Sequence, residues 1–233
     1  MIIAGREVDF MKRNLLVIAV IFMAAVLSLS LSCCVETSTA DNKSAAMEAE
    51  YNEDDWSLIL VNKDHPVPSD YNIELAQLDN GVYVDGRILP DLQNMFDDMR
   101  REGFDPVVGE GYRTNAEQKK MMSDKINEFR GQGYSKKEAE KLAKNWVALP
   151  GTSEHELGLA LDINSESGEC EWDIYAWLAD NAHRYGFILR YPEGKEQITG
   201  IEYEPWHYRY VGRLAAEEIY GSSVTLEEYL GAE

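Results

Sequence analysis

The chain has 233 residues, of which 45% are hydrophobic, 10% aromatic and 27% charged, enough apolar material for a core and too much for a disordered chain. Lys+Arg 22 against Asp+Glu 42 gives a formal net charge of -20, a field that repels phosphate backbones and argues against nucleic acid as a partner. Three cysteines, the adjacent Cys33 and Cys34 and the distant Cys170, cannot build a disulfide scaffold, and no internal repeat points to a solenoid.

In chain order, Lys12 and Arg13 precede the uncharged apolar run from Leu15 to Ser32, the pattern of an export signal or membrane anchor. Met11, directly before Lys12, offers a second start. Small residues lead into Cys33-Cys34, a context that resembles the lipidation signal of bacterial lipoproteins. Residues 1–34 are therefore read as a signal peptide or a membrane or lipid anchor. Residues 35–55 (VETSTADNKSAAMEAEYNEDD) are too polar to offset their own ordering entropy and read as a flexible tether. The expected location is the outer face of a bacterial cell membrane, or the wall.

From Trp56 the punctuation is regular. WSLILVN reads as a strand, HPVPSDY as an extended Pro-rich segment, and Val82–Val84 between Gly81 and Gly86 as a short strand or hairpin. Ile88, Leu89, Leu92, Met95, Phe96 and Met99 recur at helical spacing, with Gly103 as the stop. Phe104–Val108 reads as a strand leading into GYRT. Thr114 with Glu117, and Ser135 with Glu138, are capping boxes opening helices to about Arg130 and about Val147. Trp172–Tyr185 reads as an amphipathic helix closed by Gly186. FILRYP and the region Tyr203–Val211 read as strand-like, and Arg213–Tyr220 as a last helix. Helices and strands mix without βαβ alternation, so the fold class is α+β with a small, mostly antiparallel sheet. No boundary divides residues 56–233, which read as one domain.

Chemistry concentrates in two segments. In SEHELGLALDIN, Leu157, Leu159, Leu161 and Ile163 alternate with Gly158, Ala160 and Asp162, which reads as a strand with one bulky apolar face and one face cleared of bulk. His155 stands at its entry, and Asp162 is costly on a strand face unless ionised and partnered. Composition alone would also accept an ordinary strand with a surface Asp. In Glu204-Pro205-Trp206-His207, a second His and a further carboxylate lie together, and the chain holds only 4 His. Two His and one Asp make a three-ligand zinc site with an open position, as in catalytic rather than structural zinc. That leaves Glu204 as the general base. A regular strand would send Glu204 and His207 to opposite faces, so a turn or bulge at Pro205 is required. For Trp206, core packing and a functional role stand level.

S-x-H followed by Asp162, and then E-P-W-H, resembles the zinc D-alanyl-D-alanine carboxypeptidases of the VanY type. These group with the lysostaphin and hedgehog-like metallopeptidases and with the related L,D-carboxypeptidases. The resemblance extends to GYRT, PGTSEHELGLALDI, WLADNAHRYGFILRYPEGKEQITG and YEPWHYRYVG, nearly all of residues 56–233. It implies a hedgehog/D-Ala-D-Ala peptidase-like fold, zinc on His155, Asp162 and His207, and Glu204 as base. It also implies substrate contacts from Arg113, Gln118, Ser153 and Trp206. A guanidinium fork suits a C-terminal carboxylate, although an Arg at a helix start is by itself more often a surface ion-pair residue. The implied activity is removal of the C-terminal D-alanine from peptidoglycan stem peptides by a monomer. L,D-carboxypeptidase action on tetrapeptide stems, or a catalytically silent wall-binding lipoprotein, are the alternatives. His183 reads as a helix-end residue, His65 as structural, and Cys170 as a surface or packing thiol.

Overall fold

The protein is described by a computed structural model covering residues 56–168 and 171–232. The anchor and tether readings for residues 1–55, and the reading of Cys170, lie outside the described residues. The centre of the fold is a four-stranded antiparallel sheet in the order β3-β4-β6-β5, formed by β3 (Pro106–Glu110), β4 (Ala160–Ser165), β5 (Phe187–Leu189) and β6 (His207–Tyr210). A separate hairpin pairs β1 (Leu75–Gln77) with β2 (Tyr83–Asp85).

Helix α1 (Leu89–Arg101) forms where the apolar positions recur at helical spacing. Leu92, Met95, Phe96 and Met99 are all buried, a proline opens the first turn, and Gly103 takes the left-handed conformation just past the end. That face packs with Leu161 and Ile163 of β4, Ile174, Trp177 and Leu178 of α4 (Glu171–Asn181) and Tyr210 of β6 in the main core. Helices α2 (Asn115–Gly131) and α3 (Lys136–Ala143) open on complete capping boxes at Thr114/Glu117 and Ser135/Glu138. They share a small cluster of their own, in which Met122 packs with Ala143 and Val147. The short α5 (Glu196–Thr199), then α6 (Arg213–Ser222) and α7 (Leu226–Tyr229), complete the chain, and a third cluster joins Ile188, Val211, Ala216, Ile219 and Leu226.

Four local expectations are corrected. Residues 56–62 form no strand. The Ser57 and Ile59 carbonyls accept from Nη2 of the buried Arg209 at 2.9 and 2.8 Å, so these groups serve a guanidinium rather than a ladder. Helix α3 stops at Ala143, because the next amides turn back three residues, Asn145 to Leu142 and Trp146 to Ala143. The helix expected over Trp172–Tyr185 tightens into a 3-10 turn at Ala182–Tyr185 before Gly186 (φ 87°).

The fourth correction concerns SEHELGLALDIN. Glu154–Leu157 is a 3-10 turn, Gly158 follows at φ 69°, and the strand begins only at Ala160. The missing side chain of Gly158 is therefore explained by the backbone conformation, not by a strand face cleared of bulk. A Cβ there would lie 2.5 Å from Ile73 Cδ1 and 3.0 Å from the Asp85 amide nitrogen. Gly158→Ala is expected to cost about 2–4 kcal/mol, combining left-handed strain with overpacking. A thermal melt reads this as a lowered Tm, and an unchanged Tm would contradict the account.

Candidate metal and catalytic site

The sheet register aligns the site. Glu110 on β3 is opposite Asp162 on β4, and Asp162 is opposite His207 on β6. Directly opposed residues share a face, so the three side chains form one row across three strands. Leu161 and Ile163 point the other way, fully buried in the main core.

Each metal-type donor is aimed by a neighbour. His155, on the 3-10 turn before β4, sets its Nδ1 2.7 Å from the Gly111 carbonyl. Nδ1 donates to that oxygen, which turns Nε2 toward Asp162 Oδ1, 3.5 Å away. His207 is placed by the required turn: its amide returns to the Glu204 carbonyl at 3.1 Å, with Pro205 and Trp206 at the corners. Its Nδ1 is 3.0 Å from the same Asp162 oxygen, and the two imidazoles meet edge to face with centroids 4.9 Å apart. One donor atom from each of His155, Asp162 and His207 lies within 4.8 Å of the others. Two imidazoles and a carboxylate at such spacing fit a zinc-type cation.

Electrostatics follow the same plan. Burial alone would raise the Asp162 carboxyl, yet the adjacent His155 and His207 hold it well below the usual carboxylate range. His207 is lowered by burial, but Asp162 and Glu154 override this and lift it to about 9. Glu204, with its Oε2 3.7 Å from His207 Nδ1, is pushed up to about 7, chiefly by burial. A carboxyl poised near neutrality beside a metal-type cluster suits a general base.

Arg113 lies between β3 and α2, its amide bonded to the His155 carbonyl at 3.1 Å. Its guanidinium forks onto Glu110, with Nε to Oε1 at 2.6 Å and Nη2 to Oε2 at 2.5 Å, and Nη1 donates to Gln118 Oε1 at 2.6 Å. Gln118 is buried and donates on to the Ala148 carbonyl at 2.7 Å. These groups, with Ser153, Trp206 and Tyr191, line one cleft of about 430 Å³. Trp206 both lines the cleft and packs against the main core, which joins its two readings. A larger hollow of about 580 Å³ shares Ala148, Tyr191 and Ile201 with the cleft but takes in none of the three metal-type residues. Neither Glu202, which lines that second hollow, nor Asp173, exposed on α4, lines the cleft. Among the remaining histidines, His183 stacks on Tyr220 at 3.7 Å and His65 is exposed in a turn with Asn62.

Sequence reasoning missed Glu110, Glu154 and Tyr191. Glu110 stands immediately before GYRT, so a carboxylate three residues ahead of the arginine was an available signal. Glu154 and Tyr191 gave none.

Residues 81–213 match the family model described as VanY, D-alanyl-D-alanine carboxypeptidase. The chain belongs to the VanY family. It is 47% identical over 200 residues to a D-alanyl-D-alanine carboxypeptidase of Enterococcus faecalis, covering 85% of this chain and 75% of the relative. Among solved structures it is similar to a variant of the vancomycin resistance D,D-pentapeptidase VanY from the VanB-type resistance cassette, in complex with Zn(II), with TM-score 0.74 and 50% identity over 75% of this chain and 99% of the other. It is equally similar to VanYB in complex with D-alanine-D-alanine, with TM-score 0.74 and 50% identity over 76% and 99%. The D-Ala-D-Ala peptidase-like fold expected of the sequence is thus the fold this chain shares with these family members.

Proposed function

We propose that this chain is a zinc-dependent D-alanyl-D-alanine carboxypeptidase that removes the terminal D-alanine of peptidoglycan stem peptides. The observation carrying this reading is the convergence of three metal-type donors, a carboxyl near neutrality and a buried arginine on a single cleft. His155, Asp162 and His207 would hold zinc, which supplies Lewis acidity toward the scissile carbonyl. Glu204 takes the proton of the attacking water and returns it to the leaving amine. Arg113, backed by Gln118, receives the substrate's terminal carboxylate, and Ser153 and Trp206 shape the walls of the cleft. An intact Glu204 speaks against a catalytically silent relative. Kinship with chains described as D,D-peptidases places D,D ahead of L,D cleavage.

We infer further that the domain is exported and held at the outer membrane face or wall by residues 1–34 through the tether 35–55. The basic flank and uncharged run support this, while among the described residues no helix is long and apolar enough to cross a membrane.

Full-length chain incubated with a pentapeptide stem ending in D-Ala-D-Ala, and separately with the tetrapeptide stem, tests the activity by mass. One D-alanine per pentapeptide is expected, with loss of activity on chelation, recovery with zinc and no cleavage of the tetrapeptide. Release from the tetrapeptide alone would move the assignment to L,D cleavage.

A further inference from the structure

His207 has two ring nitrogens, and the second one is unexplained by the metal cluster. Its Nε2 is buried with no hydrogen-bond partner among the described residues, and so is Glu154 Oε2. These two orphan atoms face each other at 3.9 Å. Glu154 is only 1% exposed. Its other oxygen, Oε1, accepts from Arg190 Nε at 2.7 Å and Arg209 Nη1 at 2.9 Å. Arg190 forks in turn onto Glu227 of α7 at 2.9 and 2.6 Å, and Arg209 is spent on the Ser57 and Ile59 carbonyls. Two cations and two anions balance, which makes so large a buried cluster tolerable.

The consequence lies in hydrogen placement. A carboxylate gripped by two guanidinium groups is left with acceptor oxygens only, so Glu154 Oε2 needs a hydrogen, and His207 Nε2 is the orphan nitrogen facing it. At 3.9 Å the pair is longer than a hydrogen bond, but an N–H placed there is attracted to the carboxylate, whereas Nδ1, 3.0 Å from Asp162 Oδ1 and 3.7 Å from Glu204 Oε2, takes the lone-pair role only with a cation held between it and those carboxylates. We propose that Glu154, anchored by Arg190, Arg209 and Glu227, is a positioning residue that fixes His207 as the Nε2–H tautomer and so keeps the Nδ1 lone pair turned to the metal. This rests on reading His207 as a ligand. It gives the buried charges a task beyond holding the C-terminal α7 to the sheet. Partners behind a ligating histidine commonly govern metal affinity as well as ring orientation.

The test measures zinc affinity by competition with a chelating dye for full-length wild type, Glu154→Gln and Glu227→Gln. Glutamine keeps an oxygen for the arginines but turns an amide N–H toward His207, favouring the wrong tautomer. Zinc affinity is expected to fall about 10–100-fold in Glu154→Gln, with the circular dichroism spectrum retained. Glu227→Gln, which loosens the same cluster without touching His207, is expected to lower the Tm while leaving zinc affinity within about two-fold. Equal affinity in Glu154→Gln and wild type, or equal losses in both variants, would overturn the proposal. A second measurement stands even if Glu154→Gln does not fold: ¹⁵N spectra of zinc-loaded wild type should show His207 metallated at Nδ1, with a slowly exchanging Nε2 proton. Metallation at Nε2 overturns the inference while leaving the ligand set intact. A wild type that takes up no zinc overturns the ligand reading, and this inference with it.

Discussion

Glu204→Gln is expected to fold and to take up zinc like the wild type while kcat drops by about 10²–10⁴-fold, the usual contribution of a positioned base. The amide fills the same buried space beside His207 but cannot accept the proton of the attacking water. The pH profile supplies an independent sign. Without metal, burial holds Glu204 at about 7, so the carboxylate is present above that pH and lost as pH falls through it. A dication on the neighbouring ligands favours the charged form, so the acid limb of kcat/KM in the zinc enzyme should lie below 7. The variant should lack that limb. Normal turnover by Glu204→Gln would transfer the role to another carboxylate, and neither Glu202, in the neighbouring hollow, nor Asp173, exposed on α4, lines the cleft.

Arg113→Ala is expected to cost about 2–5 kcal/mol of transition-state stabilisation, read as kcat/KM, because a desolvated charge pair with the substrate is lost. A peptidase that removes one residue must tell a chain end from a chain middle, and the free carboxylate marks the end. Glu110 and Gln118 already engage Nε, Nη1 and Nη2 of the guanidinium in the free protein, so its plane is set before substrate arrives. Arg113→Lys keeps the charge but loses both forks, to Glu110 and to a carboxylate, and should weaken turnover without disturbing zinc. Neither variant should much alter the already poor cleavage of a C-terminally amidated stem. Should wild type cleave amidated and free-acid stems equally well, carboxylate recognition is wrong and an endopeptidase becomes the better reading.

What could be read from the sequence was what depends on neighbours in sequence. The two capping boxes, the helical stripe of α1 and the turn demanded by Pro205 are local signals, and each element stands where its signal lies. The cluster residues stood out because histidines are scarce and each lay beside a carboxylate. The same locality misled at Leu157 and Leu159, whose alternation continues the β4 pattern although a 3-10 turn and a left-handed glycine intervene. The buried quartet of Glu154, Arg190, Arg209 and Glu227 left no trace at all. Its members come from distant stretches, and singly each resembles an ordinary surface charge. The opening segment failed for the same reason, since Arg209, far along the chain, claims its carbonyls.

The row formed by Glu110, Asp162 and His207 also sets where the chain can change length. Adding or removing one residue within β4 or β6 would turn Asp162 or His207 to the opposite side of the sheet and dismantle the cluster at a stroke. Between the end of β4 and the turn at Glu204 no such parity applies, provided the Glu154–Arg190 contact and the pairing of β5 with β6 survive. Relatives that differ in size should therefore carry their insertions in the connections on either side of α4 and around α5, with the strand interiors kept to a fixed count.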